Sequence, residues 1–236
     1  MISFKRARQW LRNRLFRLLN DRDEISNLGL RLWTRHPAVT DKMFFAMSRR
    51  YERAEADLAT KYIRPEHRVL EIGAGVGFLA CHNRRNLGVR DYAIVEANPR
   101  LIDLIAKNLE LNGAADVPLI NAAVAPADGT ISFTLSDEFW ASSTAHDDGE
   151  MIEVEAQTIA SLRARLSFSP DTLIIDIEGG EIGLPVEHFE GFRRIVMETH
   201  PQIVGAAPNQ AMLDRFAKAG FVLRDENDNV VFLERS

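Results

Sequence analysis

Apolar positions follow helical spacing through the first sixty residues and fall into short contiguous runs after that. Over residues 2–19, Ile2, Trp10, Leu11, Leu15, Phe16, Leu18 and Leu19 interleave with Lys5, Arg6, Arg8, Arg12, Arg14 and Arg17, which predicts an amphipathic helix. Asp23-Glu24 suits the start of a second helix, ending before Pro37 because the residue ahead of a proline avoids helical geometry. Thr40 is an N-cap candidate with Asp41 in the first turn. The helix it opens is expected to run to about Lys61 with a stripe of Met43, Phe44, Phe45, Met47, Tyr51, Leu58 and Tyr62. Residues 1–62 therefore read as a helical extension ahead of a body formed by residues 63–236; such a stripe is usually core, and the alternative is a lid over a cleft of the body, lined by some of these aromatics, the Tyr51 region among them.

The body alternates strand-like and helix-like segments, as a largely parallel sheet requires. Strands are expected at Val69–Ile72, Tyr92–Glu96, Val117–Val124, Thr130–Leu135, Met151–Glu155, Asp171–Asp176 and Arg194–Glu198. Phe221–Arg224 and Val230–Leu233, around Asp225–Asn229, read as a terminal hairpin. Helices are expected from Phe78, over Pro99–Leu111, Ser161–Leu166 and Asn209–Lys218, and near Ile182–Phe189.

Gly73-Ala-Gly-Val-Gly77 joins the first of these strands to a helix, and glycines there let the backbone approach a ligand closely. A dinucleotide turn, G-x-G-x-x-G, would need glycine where Phe78 stands. Polar residues collect at the carboxyl ends of successive strands: Glu71, Glu96, Asn121, Asp176, Glu198 and His200. Glu96 follows Gly73 at about the interval of an acid that accepts from ribose hydroxyls, with Ala97 and Asn98 beside it. Asn121 and Ala122 could read an adenine, and Asn121 serves equally well as a turn residue. Asp176-Ile-Glu-Gly-Gly-Glu181 crowds three carboxylates around two glycines, which suits a proton acceptor or a cation site.

An acid two residues before G-x-G-x-G resembles the first motif of the Rossmann-like, S-adenosylmethionine-dependent methyltransferases. Together with the acid-ended second strand, Asn121-Ala-Ala-Val124, D-x-E-G-x-E from Asp176, and Glu198-Thr-His200, the chain resembles the FkbM family over roughly residues 66–200. Gly75 and Ile174 stand where many members have asparagine and lysine. The resemblance implies a Rossmann-like methyltransferase fold, α/β, with a mostly parallel seven-stranded sheet ending in an antiparallel hairpin. It also implies S-adenosylmethionine as donor and a hydroxyl of a small molecule or glycan as acceptor. The cofactor would meet Glu71, Gly73, Ala74, Gly75, Gly77, Phe78, Glu96, Ala97, Asn98, Asn121, Ala122 and Asp176. Asp176, Glu178 and His200 are the candidate bases, and Ser143 and Glu181 the candidate acceptor contacts. The same Asp176, Glu178 and His200 could hold a divalent cation, but the ligand set is incomplete and no metal is expected.

Charge refines the picture. The net formal charge of −5 combines a basic segment, residues 1–60, with an acidic remainder, which argues against general nucleic-acid binding. The basic helix either packs on the body, the simpler expectation, or lies on an anionic membrane surface. The lone Cys81 fits a reducing compartment. No bilayer-spanning run or secretory leader is evident, so a cytoplasmic protein is expected, peripheral to the inner membrane surface if residues 2–19 dock there. Two other functions compete: a non-catalytic cofactor-fold protein docked by that helix, and a nicotinamide-dependent oxidoreductase, which Phe78 disfavours. Oligomeric state is not encoded in these patterns.

Overall fold

The computed structural model describes residues 4–135 and 150–235. Helix α1 (Phe4–Leu19) forms where the interleaved pattern predicts it. The expected second helix is instead an antiparallel hairpin of β1 (Glu24–Asn27) and β2 (Leu30–Trp33). Leu30 and Leu32 are buried while Arg31 faces solvent and pairs with Glu24, an alternation of period two. The turn is Leu28-Gly29, both at positive φ, the geometry tight hairpins need. Leucine rarely adopts it, so the sequence carries no ordinary hairpin signal.

The expected third helix is split. Helix α2 (Asp41–Met47) starts at Thr40, whose hydroxyl accepts from the Met43 amide as predicted. Helix α3 (Arg53–Tyr62) starts only after Glu52, which sits at φ 47°. The intervening turn carries Tyr51 and Glu52. Helix α1 packs on α2 through Phe16, whose ring meets Phe45 edge-on at 5.0 Å, and Arg17, whose guanidinium lies over the Phe44 ring and also donates to the Thr34 carbonyl between β2 and α2.

The body begins with β3 (Val69–Ile72), the glycine turn, and α4 (Phe78–Cys81), which continues into a π-helical turn at His82–Asn86. Then come β4 (Tyr92–Glu96), α5 (Ile102–Leu111) and β5 (Leu119–Asn121). The strand expected over Val117–Val124 breaks at Ala122. Beyond it, β6 (Ala123–Val124), β7 (Gly129–Leu135) and β8 (Glu150–Gln157) form a separate three-stranded sheet. Helix α6 (Ile159–Ala164), β9 (Thr172–Ile175) and β10 (Arg194–Glu198) follow. Between β9 and β10, the expected helix is two 3-10 turns, Gly180–Gly183 and Val186–Phe189, because Pro185 forces extended backbone on Leu184. Helices α7 (Pro201–Val204) and α8 (Ala206–Lys218) lead to β11 (Phe221–Asn227) and β12 (Val230–Arg235). Asp225 to Asn227 pair within β11 instead of turning, and a bulge sits between Leu223 and Asp225.

The main sheet runs β11-β12-β10-β9-β3-β4-β5. Neighbours from β10 to β5 are parallel, and β12 is antiparallel to both of its neighbours. This is the Rossmann-like, mostly parallel seven-stranded α/β sheet with a C-terminal antiparallel hairpin. Every residue of β3 and β9 is buried, as in strands covered on both faces. Phe44, Met47, Phe78 and Leu104 pack one face; Leu162, Phe189 and Phe216 pack the other. From β3 the chain crosses to β4 on one side, while β9 lies on the other, so a crevice opens beyond their carboxyl ends.

Candidate functional site

That crevice holds a cavity of about 500 Å³. Gly73 and Gly75 form part of its wall, with Glu96, Ala97, Leu101 and Ala122 beside them, Ile131 and Phe133 of β7 above, and Asp176 to Gly180 opposite. Gly73 stands at φ 86°, and a Cβ there would lie 1.7 Å from the Asp176 carbonyl oxygen. Its glycine is thus demanded by the approach of two strand ends. At Gly75, φ 54°, a Cβ would meet the Tyr51 hydroxyl at 2.4 Å and a Glu52 carboxylate oxygen at 3.1 Å.

Glu96 braces the turn. Its Oε2 accepts from the Gly75 amide at 3.0 Å and its Oε1 from the Asn98 amide at 2.8 Å. Burial pushes its carboxyl up to about 7, even though the Asn98 and Gly75 amides favour the charged form. Each oxygen keeps a second lone pair for a ligand hydroxyl.

Several residues assigned to the cofactor from sequence lie elsewhere. Glu71 is 1% exposed, beneath the glycine turn, and its carboxyl accepts from the Tyr92 hydroxyl. Burial raises it to about 8 against the opposing Tyr92 bond. It is a buried anchor of β3, because its side chain points into the layer under the sheet's end. Ala74 and Phe78 are fully buried, Phe78 packing edge-on against Tyr51 at 5.9 Å. Gly77 caps α4 and packs on Ile105. Asn98 is buried, its side chain accepting from the Arg100 amide as a cap. Asn121 donates to the Glu96 and Ala97 carbonyls, the turn role, so it braces the rim from outside the cavity. Gly73, Gly75, Glu96, Ala97, Ala122 and Asp176 do line it.

A second, larger cavity of about 1310 Å³ lies behind the Tyr51-Glu52 turn. Arg49, Arg50, Arg53 and Asn229 line it, together with Glu55, Asp176, Glu178, Glu198 and His200. Tyr51, Glu52, Asp176 and Glu178 belong to both cavities, which meet there. The three candidate bases converge: His200 Nε2 is 3.3 Å from Asp176 Oδ1 and 3.6 Å from Glu178 Oε2, with Glu198 Oε1 at 4.0 Å.

Glu181, expected to touch the acceptor, is 1% exposed. It accepts from the Gly179 amide at 3.1 Å and from His200 Nδ1 at 2.8 Å. A side chain so enclosed cannot reach an acceptor, and its work is to orient the imidazole. Burial alone would lower the His200 pKa; the Asp176 and Glu181 carboxylates outweigh it and raise it to about 11. Burial and Asp176 push Glu178 up to about 7, and burial, Asp176 and Glu55 push Glu198 to about 9.

Glu52 and Glu55 were not singled out in the sequence. Acids on an expected continuous helix look solvated, and only the break before α3 turns Glu52 inward. Glu52 Oε2 is buried without a hydrogen-bond partner among the described residues, and burial, then Glu55, hold its carboxyl well above the usual range. Cys81 is buried, which raises its thiol to about 12, the inert packing role expected. Ser143 lies outside the described residues, so its assignment to the acceptor has no structural counterpart. Among the described residues no helix is long and apolar enough to cross a membrane.

No protein-family model matches the chain, and no curated protein sequence matches it. Solved structures do resemble it. Fibrillarin from Aeropyrum pernix, in complex with S-adenosyl-L-methionine, is 13% identical over 77% of this chain and 74% of its own, with a TM-score of 0.49. Precorrin-6y C5,15-methyltransferase from Geobacter metallireducens is 15% identical over 78% and 88%, with a TM-score of 0.48. TrmK from M. capricolum, in complex with S-adenosyl-homocysteine, is 10% identical over 77% and 68%, with a TM-score of 0.46. At these identities none of them carries an activity over to this chain.

Proposed function

We propose that the chain is an S-adenosylmethionine-dependent methyltransferase of the FkbM type, acting on a hydroxyl of a small molecule or glycan. The observation that carries the proposal is the junction of two cavities. One is walled by a bare glycine turn and a buried acid, Glu96; the other is rimmed by the Asp176–Glu178–His200 group; both share Asp176 and Glu178. Of the motifs that resemble the family, Gly73, Gly75, Glu96, Asp176, Glu178 and His200 line these cavities.

In this reading Glu96 accepts from the two ribose hydroxyls, and Gly73 and Gly75 let the nucleoside lie against the main chain. The apolar wall of Ile131 and Phe133 excludes water from one side. When bound, the cofactor supplies a sulfonium methyl that passes to the acceptor oxygen, the C–S electron pair remaining on sulfur. Glu178, which faces both cavities, takes the hydroxyl proton as the new O–C bond forms. Tyr51 and Glu52 form the partition that sets where donor and acceptor meet.

The test is a titration of the full chain with S-adenosylhomocysteine. Saturating ligand should raise the melting temperature by several degrees, whereas NADH should not. A chain unmoved by either S-adenosylmethionine or S-adenosylhomocysteine would refute the assignment.

A specific feature favours a membrane-facing role for α1 as well. Leu11, Leu15, Leu18 and Leu19 are each more than half exposed, on the side opposite Asn13 and Phe16, which pack inward. Arg8 and Arg12 flank this stripe, and residues 1–60 are basic. The partner chemistry that fits both features is an anionic lipid surface, which would bring the enzyme to an acceptor at the membrane.

A further inference from the structure

We propose that Asp176, Glu198 and His200 form a divalent-cation site at the mouth of the larger cavity, whose open positions hold two neighbouring oxygens of the acceptor. The acceptor half of this inference rests on the methyltransferase reading; the cation half does not.

One ligand atom from each residue lies within 4.8 Å of the others. His200 Nε2 stands 3.3 Å from Asp176 Oδ1 and 4.0 Å from Glu198 Oε1. Adjacent ligands of a six-coordinate ion with bonds of about 2.1 Å are about 3 Å apart, and opposite ones about 4 Å. Closure by about an ångström brings Glu198 Oε1 to the spacing of an adjacent ligand, and the Asp176–Glu198 pair, within 4.8 Å, needs at most about 1.8 Å to complete a facial set of one nitrogen and two oxygens.

The imidazole is already prepared. Its ring is 2% exposed, and Nδ1 lies 2.8 Å from a carboxylate oxygen of Glu181. A carboxylate can only accept, so Nδ1 carries a proton, and Nε2, turned toward the cluster, releases its own proton when it binds the ion. A carboxylate that fixes the distal nitrogen of a histidine is the usual support of a metal-binding imidazole.

A second observation concerns Asp176: its Oδ1 atom is buried 3.3 Å from His200 Nε2 and makes no hydrogen bond that satisfies it among the described residues, while the rest of the side chain is open to the cavity. Coordination would give that oxygen a partner. Glu198 supplies the ligand that Asp176, Glu178 and His200 lack as a set.

The chemistry follows from the ligands. One imidazole with two carboxylates suits a borderline ion such as Mn²⁺ better than Mg²⁺. Three protein ligands leave sites facing the cavity, where a vicinal diol or α-hydroxy acid binds through both oxygens. His200 then acts as a ligand, and Glu178 alone remains as proton acceptor.

Mn²⁺ titration of the full chain, followed by water-proton relaxation, tests the site. One ion per chain should bind, saturating below about 1 mM, and Glu198→Gln and His200→Gln should each weaken it at least ten-fold. S-adenosylhomocysteine titrated into the same variants reports that they remain folded. Catechol should displace water from the bound ion, and phenol should not. No saturable binding by the parent chain, or binding unchanged in both variants, overturns the site; catechol without effect overturns the acceptor class. S-adenosylhomocysteine binding without Mn²⁺ binding sinks this inference alone, and the converse sinks the cofactor reading and with it the acceptor half, leaving the cation site standing.

Discussion

At Gly73 the chain has no freedom: an added Cβ would meet the Asp176 carbonyl at 1.7 Å, and main chain cannot swing aside as a side-chain tip can. Gly73→Ala should therefore destabilise the fold by about 2 kcal/mol or more, measured by urea denaturation, and not merely weaken ligand binding. A loss below half of that would mean the strand ends are looser than described. Glu96 answers a different test. Glu96→Gln keeps the shape but removes the charge that ribose hydroxyls would bond, so affinity for S-adenosylhomocysteine should fall roughly 10- to 100-fold. Unchanged affinity would remove Glu96 from the ligand. Glu71 bears on stability and pH. Its folded pKa, about 8, lies above that of an exposed carboxyl, so the folded state holds a proton that the unfolded state releases. Its contribution is present below about pH 4 and is lost as the pH rises toward 8, by about 1.4 kcal/mol per pH unit. Glu71→Gln cannot ionise and should flatten that decline in denaturation curves taken from pH 5 to 8; a parallel decline in both proteins would contradict the burial argument.

Among the elements, α1 makes the sharpest external claim. Its inner side is held by Phe16 and Arg17 against α2, so the leucines opposite can be changed without unfolding the helix. Pairing Leu15→Asp with Leu18→Asp should reduce co-sedimentation with anionic vesicles at least ten-fold, since each buried leucine contributes on the order of 1 kcal/mol. The parent chain should prefer anionic over neutral vesicles, and failure to sediment with either would leave α1 without its lipid role. The break between α2 and α3 matters inward. Had the helix continued from Thr40 to Lys61, as its apolar stripe suggests, Tyr51 and Glu52 would not reach Gly75. The hairpin of β1 and β2 was equally hidden, because its turn places Leu28 at φ 49° without the Asn-Gly or Asp-Gly that announces such turns.

For the whole molecule, the two cavities meeting at Asp176 and Glu178 are what the proposed chemistry depends on. The sheet that creates them was legible residue by residue. Tyr92–Glu96 and Arg194–Glu198 fall where their apolar runs begin and end, and the G-x-G-x-G turn and terminal hairpin follow from local backbone demands. Such features are written in short stretches, because strand and helix periods and glycine geometry depend on near neighbours. What faces what is written nowhere locally. Glu71 and Glu96 both sit at strand ends in similar sequence, yet one is sealed under the turn and the other lines the cavity. Glu181 reads as one more acid in a polar loop until His200, nineteen residues on, comes to rest at 2.8 Å from it. Glu198 becomes a ligand only beside Asp176. Sequence determined the elements and the list of chemical groups; tertiary structure alone decided which groups share a space, because that depends on how the layers pack over the sheet and not on spacing along the chain.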